Sequence, residues 1–139
     1  MKTLAEDEIE ALVKAATEVR SRAHAPYSGF AVGAAVLDAS GRTHVGCNVE
    51  NASSGLSVCA ERHAVAAAVA VGATGLRGLA VVTDTVPPAS PCGACRQVLA
   101  EFGDFQVVLA NLSGDRRVTT VGELLPLAFG PDFLTDGEI

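Results

Sequence analysis

The sequence has 139 residues, enough for one domain spanning 1–139, and its 49% hydrophobic residues can fill a single core. A formal net charge of −6 argues against a surface that follows nucleic acid through clustered Lys and Arg, so the expected partner is a small molecule. No apolar run reaches membrane-spanning length, and the acidic N-terminal stretch does not resemble a secretory signal, which favours a soluble, cytoplasmic protein without membrane or nucleic-acid partners.

The first part of the chain predicts a helix followed by a β-hairpin. Apolar residues recur with helical spacing over Glu6–Arg22, and Pro26 ends the pattern. The mostly apolar run Phe30–Leu37 is typical of a strand buried on both faces. Turn-forming residues at 38–41 connect it to a second predicted strand, Thr43–Val49.

The rest of the chain alternates helices with strands. An alanine-rich segment, Cys59–Val71, has no internal Gly or Pro and is apolar nearly all round, which predicts a helix buried between layers. The patterns after it predict a strand at Leu79–Thr83, a helix at Cys95–Phe102, strands at Gln106–Ala110 and Arg117–Thr119, and a helical turn at Val121–Leu125. This order predicts an α/β fold, a three-layer α-β-α sandwich around a mixed sheet of roughly five strands.

Three of the four cysteines form two short clusters that suit a zinc ion. Cys92 and Cys95 have the C-x-x-C spacing that lets two thiolates reach one tetrahedral metal, and Cys59 adds a third sulfur from another segment. Glu61 lies two residues after Cys59, off the same helical face, so it suits proton transfer better than ligation. A fourth position would then stay open for water. Cys47 is left over and is predicted to be a small buried residue.

The predicted helices place both clusters at helix N-termini. The positive end of a helix dipole stabilises a thiolate, and this offsets part of the excess negative charge of three sulfur ligands. Arg62 would offset it further if it donates to the thiolates, but its position is equally compatible with a solvated surface side chain.

Two other interpretations of the cysteines stay open at this point. A C-x-x-C pair is also found in thioredoxin-like redox proteins, although a third cysteine and a glutamate are not part of that pattern. His63 would share a helical face with Cys59, so that Cys59, His63, Cys92 and Cys95 would form a closed, structural zinc site.

The segments around the cysteines resemble the zinc signature of the cytidine deaminase family, in its small homotetrameric branch. They read CAER at 59–62 and PCGACRQ at 91–97, the three-cysteine form of the pattern. Residues 26–35 resemble the first strand of the family, 46–53 its substrate loop and 124–130 its C-terminal segment. The similarity therefore covers nearly the whole chain.

The resemblance implies a zinc-dependent enzyme, with one Zn²⁺ per chain, that hydrolyses cytidine and deoxycytidine to uridine and deoxyuridine and releases ammonia in pyrimidine salvage. Cys59, Cys92 and Cys95 would ligate the zinc. Glu61 would take a proton from the activated water, pass it to N3 of the ring and later protonate the departing amine. Arg62 would support the thiolates.

The same resemblance implies which residues bind the nucleoside. Phe30 would pack against the pyrimidine ring, Asn48 and Glu50 would hydrogen-bond the ribose hydroxyl, and the backbone of Ala60 would contact the base. Phe129 would line the site of a neighbouring subunit, which implies a homotetramer. From the residues alone, Phe30 is a core residue, and Asn48 and Glu50 share one strand face that is either a hydroxyl clamp or a solvated edge.

Three features depart from the family pattern. Ser54 stands where family members often carry an aromatic residue that reaches a neighbouring subunit, and His63 replaces the usual small residue after the CAER segment. Aromatic residues make up only 4% of the chain, so the wall against which a base would stack is expected to be thin.

Alternative functions are therefore kept. One is the deamination of a cytosine-bearing antibiotic such as blasticidin S, because such enzymes share the PCGxCRQ signature, but Phe30, Asn48, Glu50 and the segment 128–130 favour the nucleoside. Another is a non-catalytic structural zinc module. A polynucleotide deaminase is disfavoured because the chain is acidic and shows no basic or aromatic strand-binding stretch.

Overall fold

The computed structural model describes residues 1–135 and contains a mixed five-stranded sheet with helices on both faces. The helices are α1 (Glu6–Arg20), α2 (Ala60–Ala70), α3 (Gly93–Ala100), α4 (Val121–Leu124) and α5 (Asp132–Thr135), and a short 3-10 helix spans Ser54–Leu56. The strands are β1 (Gly33–Asp38), β2 (Thr43–Cys47), β3 (Leu76–Thr83), β4 (Gln106–Asn111) and β5 (Arg116–Thr120). Within the described part of the chain, no helix is both long and apolar enough to cross a membrane.

The strands are ordered β2-β1-β3-β4-β5, and of the four neighbouring pairs only β3 and β4 run parallel. A parallel pair needs a crossover connection, and α3 lies in it. The carboxyl ends of β3 and β4 therefore lie at the same edge of the sheet, with Thr83 opposite Asn111. This edge also holds the start of β1, where Gly33 pairs with Val82.

Two apolar clusters fill the two sides of the sheet, which confirms the predicted three layers. On one side α1 buries Leu12 and Ala16 against small and branched side chains of β1, β3 and β4. On the other side α2 and α3 pack with Phe105 and the opposite set of strand residues. Every residue of β1 is buried, as expected for a strand covered on both faces.

Several predicted boundaries differ from the structure, and one has a clear local cause. The first strand starts at Gly33 instead of Phe30, because the Asn48 side chain bonds the preceding backbone. Its Nδ2 donates to the Phe30 carbonyl at 2.7 Å, and its Oδ1 accepts from the Val32 N–H at 2.8 Å. The second strand ends at Cys47, before Asn48, for the same reason.

The predicted burial of α2 between layers is wrong for one of its faces. Ala66, Val69 and Ala70 are exposed, since the sheet covers the helix from one side only and no other part of residues 1–135 covers the opposite side. The remaining boundaries shift by up to three residues: β3 begins at Leu76, α3 begins at Gly93, and α5 has no predicted counterpart.

Gly46 of β2 allows α2 to approach the sheet closely. A Cβ atom at this position would lie 2.4 Å from the backbone nitrogen of Ala64 and 2.7 Å from the carbonyl oxygen of Ala60. The missing side chain therefore sets the position of the first turn of α2, which Cys59 precedes and which contains Glu61.

Asp38 closes the hairpin between β1 and β2 and is only 1% exposed. One carboxylate oxygen accepts from the N–H groups of Ser40 and Arg42, both at 2.9 Å, and from the Ser40 hydroxyl at 2.6 Å. The other oxygen lies 2.7 Å from Nε2 of His44. The bond to His44 contributes most to lowering the pKa of Asp38, and the Ser40 hydroxyl comes next.

We expect Gly46→Ala to lower the free energy of unfolding by about 1–3 kcal/mol, because the added methyl group overlaps the backbone of α2. Urea denaturation measures this change, and zinc content reports displacement of Cys59. Gly55→Ala is the matched control, since a Cβ there meets nothing within 4 Å. Equal stability of the Gly46 and Gly55 variants would contradict the role of the close approach.

Asp38→Asn is expected to lower stability most at neutral pH. The folded-state pKa of Asp38 lies below the ordinary value of 3.8, so its carboxylate contributes stability that is fully present above that pH and is lost as the pH falls through the folded value. Urea denaturation of wild type and variant at pH 7, 5 and 3.5 should show a gap that narrows in acid. The exposed Glu18→Gln serves as the control, and a gap that stays constant across this range would refute the assignment.

Candidate active site

The three predicted cysteine ligands meet at one point. Cys59 is the N-cap of α2, Cys92 is the N-cap of α3, and Cys95 lies in the first turn of α3. The Sγ atoms of Cys59 and Cys92 are 3.7 Å apart, and those of Cys92 and Cys95 are 3.5 Å apart. All three sulfurs lie within 4.8 Å of one another, and residues 1–135 contain no other such group of His, Cys, Asp or Glu.

The distances and the surroundings of the sulfurs fit a zinc ion. A tetrahedral zinc with zinc–sulfur distances of about 2.3 Å keeps its sulfur ligands about 3.8 Å apart, close to both measured distances. Burial raises the pKa of the Cys59 thiol. Burial also raises the pKa of Cys95, and the charge of Glu61 raises it further. A divalent cation reverses this preference, because it makes thiolates the stable form.

The N-terminus of α3 acts on Cys92 in the predicted direction. Burial acts to raise the pKa of this thiol, but the backbone N–H groups of Cys95 and Ala94 and the two neighbouring thiols outweigh it, so the pKa is lowered. These N–H groups belong to the first turn of a helix, where they have no partner within the helix. Cys92 is therefore the one of the three cysteines whose pKa the surrounding protein lowers, which favours the thiolate form that binds a metal.

Glu61 is a buried carboxyl group beside the sulfurs, with only 5% of its surface exposed. Burial is the main cause that raises its pKa, and its own backbone N–H, the Cys95 thiol and the charge of Arg62 oppose it. A carboxyl group whose pKa is raised holds a proton more readily than an exposed one, which suits a group that must accept and release a proton in general acid–base catalysis.

The two residues after Glu61 resolve the alternatives left open by the sequence. Arg62 donates from Nη2 to Sγ of Cys59 at 3.9 Å, and this contact is the main cause that raises its pKa. His63 instead places Nδ1 at 2.8 Å from the carbonyl oxygen of Cys47, outside the sulfur cluster. The interpretation in which His63 closes a structural zinc site is therefore wrong. Cys47 itself is only partly buried.

A cavity of about 170 Å³ opens beside the cluster. Its walls are formed by Phe30, Val32, Asn48, Cys59, Ala60, Glu61, Thr83, Ala89, Ser90 and Cys92. The structure thus brings Phe30, Asn48 and Ala60 together with Glu61, as predicted.

Four lining residues were not among the predicted ones: Val32, Thr83, Ala89 and Ser90. Thr83 is the last residue of β3, and ligands of α/β proteins bind beyond the carboxyl ends of parallel strands. That rule, applied to the predicted strand at 79–83, was the available signal. Ala89 and Ser90 immediately precede the Pro-Cys pair of the signature, but nothing in their own chemistry singled them out.

Asn48 and Glu50 hold the segment 27–32 and do not share a strand face, since β2 ends before them. Glu50 is absent from the cavity wall, and its Oε1 accepts from the N–H groups of Tyr27 at 3.0 Å and Ser28 at 3.2 Å. Its Oε2 accepts from the Ser28 hydroxyl, whose oxygen in turn accepts from the N–H of Phe30 at 3.0 Å. These bonds fix the backbone that carries the Phe30 ring.

Phe129 lies apart from the cavity of its own chain. Its ring is 56% exposed and stacks on Phe133 with the centroids 5.6 Å apart, and its carbonyl accepts from Nε2 of Gln97 at 2.9 Å. The predicted contact of Phe129 with a neighbouring subunit stays a prediction. Ser54 is exposed at the start of the short 3-10 helix.

Comparison with known proteins identifies the family. Residues 6–111 match the family model described as the cytidine and deoxycytidylate deaminase zinc-binding region. Proteins named cytidine deaminase are 48% identical over 130 residues in Sporosarcina psychrophila and 49% identical over 127 residues in Halalkalibacterium halodurans. These alignments cover 92% and 90% of this chain and 96% of each relative.

A crystal structure of cytidine deaminase from Burkholderia pseudomallei superimposes with a TM-score of 0.85 and 49% sequence identity, covering 91% of this chain and all of that one. The mixed sheet and its flanking helices are therefore the fold of these enzymes. The cysteine cluster, the buried glutamate and the family match agree, and the chain belongs to the zinc-binding cytidine and deoxycytidylate deaminase family.

Proposed function

We propose that this protein hydrolyses cytidine and deoxycytidine to uridine and deoxyuridine, with release of ammonia, as an enzyme of pyrimidine salvage. The observation that carries the proposal is the buried carboxyl group of Glu61 in the wall of the cavity that also exposes Cys59 and Cys92. Relatives named cytidine deaminase, at up to 49% identity over most of the chain, support it.

Cys59, Cys92 and Cys95 would hold one zinc ion per chain. When bound, the ion supplies the Lewis acidity that activates a water molecule for attack on C4 of the cytosine ring. Arg62 stabilises the sulfur ligands, since it donates to Cys59 and reduces the negative charge of the cluster.

Glu61 carries protons between the water and the base. Its carboxylate takes the proton from water and delivers it to N3, which makes C4 more electrophilic. After the hydroxyl group has added to C4, Glu61 takes the proton of that hydroxyl and gives it to the exocyclic amine, so that the C–N bond breaks, ammonia leaves and C4 becomes a carbonyl. The side chain is only 5% exposed, and this burial raises its pKa. The raised pKa favours both proton transfers, because it brings the protonated and ionised forms of the carboxyl group closer in free energy.

The nucleoside would lie in the cavity against Phe30 and the backbone of Ala60, both of which line it. Asn48 would bind the ribose hydroxyl from the cavity wall. Glu50 would act together with it, since a carboxylate offers about four acceptor sites and the segment 27–28 occupies three of them. Glu50 would therefore both organise this segment and accept one substrate hydroxyl group.

The charges around the cavity favour a nucleoside over a nucleotide. Glu61 is the one acidic side chain of the wall, and neither Lys nor Arg is among the described residues that form it. Recognition of a phosphate group depends on Arg, Lys or a free helix N-terminus, and the N-termini of α2 and α3 point at the sulfur cluster instead.

The alternatives have less support. A structural zinc module would need a closed ligand set, whereas His63 bonds the Cys47 carbonyl. An antibiotic deaminase would share the zinc chemistry, but the presence of both Phe30 and Asn48 in the cavity wall favours a ribose-bearing base.

We also propose a cytoplasmic homotetramer in which Phe129 completes the site of a neighbouring subunit. Apolar side chains exposed at the C-terminal end of α2, including its C-cap, and in the C-terminal segment support an association of copies. They include Val69, Val71, Phe129, Phe133 and Leu134. Ser54 would leave the intersubunit part of the pocket wider than an aromatic residue at this position would.

The substrate range tests the proposal directly. We expect the purified protein to release ammonia and uridine from cytidine and to act on deoxycytidine. CMP should be at least about 100-fold poorer in kcat/KM, because a site without a cation for the phosphate leaves that charge unpaired. Blasticidin S should be poorer by a similar factor, because it does not offer the ribose hydroxyl that Asn48 would bind. Ammonia release and product chromatography measure this. Preference for blasticidin S would support the antibiotic alternative, and failure with all four compounds would reject a deaminase of this class.

Glu61→Gln separates proton transfer from metal binding. The amide keeps the size of the side chain but cannot accept the proton from water, so we expect kcat to fall by about 10²–10⁴-fold while the protein keeps about one zinc per chain. Steady-state kinetics and metal analysis measure both quantities, with the exposed Glu101→Gln as control. Turnover within a few-fold of wild type, or loss of metal from His63→Ala alone, would contradict the assignment.

A further inference from the structure

The loop of residues 84–92 forms one wall of the cavity and is attached to the end of β3 by two threonines. The N–H of Ala89 donates to Oγ1 of Thr83 at 3.3 Å, and the hydroxyl oxygens of Thr83 and Thr85 are 2.9 Å apart. Thr85 in turn donates to the carbonyl oxygen of Pro87 at 2.8 Å. The same loop carries Ser90, another residue of the wall.

The direction of each of these three hydrogen bonds is fixed. A threonine hydroxyl has one hydrogen, and that of Thr85 is used on the Pro87 carbonyl, so the bond between the two hydroxyls must be donated by Thr83. The order is therefore Ala89 N–H to Thr83, Thr83 to Thr85, and Thr85 to Pro87. Replacing either hydroxyl leaves a partner without its bond.

Packing alone does not explain a threonine at position 83. The side chain is 1% exposed and lines the cavity, and a valine would fill the same volume without a hydroxyl to satisfy. The hydroxyl is kept buried because it bonds the loop. Thr83 thus joins the rigid end of the sheet to the wall at Ala89.

A second anchor fixes Thr85 from the neighbouring strand. Asn111, paired with Thr83 in register, donates from Nδ2 to the carbonyl of Thr85 at 2.8 Å and to Oδ2 of Asp115 at 2.9 Å. Its Oδ1 accepts from the N–H groups of Ser113 and Asp115. Asn111 is only 6% exposed, and its bonds connect the loop to the turn between β4 and β5.

We propose that Thr83 and Thr85 are positioning residues that hold the cavity wall at Ala89 and Ser90 in place and thereby determine how tightly a pyrimidine base is bound. They act through the loop and take no part in metal ligation or proton transfer. The inference rests on the proposed function for the identity of the ligand, but the positioning of the loop itself does not depend on it.

Thr83→Val and Thr83→Ser form the matched pair that tests this inference. Val keeps the shape but removes the acceptor of the Ala89 N–H, so KM for cytidine should rise about tenfold, with a smaller change in kcat and unchanged zinc content. Ser keeps the hydroxyl, and its KM should stay within about threefold of wild type. Thr85→Val should raise KM in the same direction, and Thr119→Val, at a buried threonine of β5 away from the cavity wall, should not.

Hydrogen exchange of the Ala89 amide provides a readout that needs no activity. We expect faster exchange in Thr83→Val than in wild type, and wild-type exchange in Thr83→Ser, because only the valine variant lacks the acceptor. If Thr83→Val does not fold, Thr85→Val carries the test, since Thr85 is only partly buried. Its prediction is a rise in KM in the same direction and a smaller increase in exchange, because the Ala89 N–H keeps its acceptor while the Thr83 hydroxyl loses its own.

The outcomes separate this inference from the proposed function. Wild-type protein that does not deaminate cytidine rejects the proposed function, while the exchange data still decide whether the threonines hold the loop. Active wild type with an unchanged KM in both valine variants overturns the positioning role. Equal losses in Thr83→Val and Thr83→Ser overturn it as well, because they would trace the effect to packing and not to the hydroxyl.

Discussion

Three sulfur atoms held within 4.8 Å of one another impose the constraint on which the site depends. Burial opposes charge on Cys59 and Cys95, yet thiolates are the form that binds a metal. Two groups of the fold stabilise negative charge on the sulfur cluster. The backbone amides at the start of α3 act on Cys92, and the guanidinium of Arg62 acts on Cys59. A bound zinc ion supplies the rest. The close contact of α2 with β2 at Gly46 keeps this arrangement in register.

Metal binding and proton transfer fall to different residues of the same short segment. Cys59, the N-cap residue of α2, belongs to the sulfur cluster, whereas Glu61, two residues later, lines the cavity and is only 5% exposed. A ligand and a proton carrier can therefore be encoded two residues apart without competing for the metal. The sheet edge adds two further wall residues, since Val32 directly precedes β1 and Thr83 ends β3.

Local patterns in the sequence predict the metal ligands, Glu61 and the order of helices and strands, because the spacing of cysteines and the periodicity of apolar residues are set by local geometry. Contacts between distant segments were not predictable in this way. His63 has the spacing of a ligand, but its ring nitrogen Nδ1 forms a hydrogen bond with the carbonyl oxygen of Cys47, 16 residues earlier. Glu50 looks like half of a hydroxyl clamp, but it also holds the backbone of 27–28. The exposed face of α2 could not be predicted either, because the helix is rich in alanine and apolar nearly all round.

The antiparallel pairing of β1 with β3 has a consequence for how the molecule tolerates change. It puts the hairpin turn at 39–42 at the end of the sheet where β3 begins, and the Ala39 N–H bonds Gly75 there. All the chemistry lies at the other end. A label or an inserted peptide in this turn would therefore lie far from the cavity, and its cost, through the bonds of Ser40 and Arg42 to Asp38, would fall on stability and not on turnover.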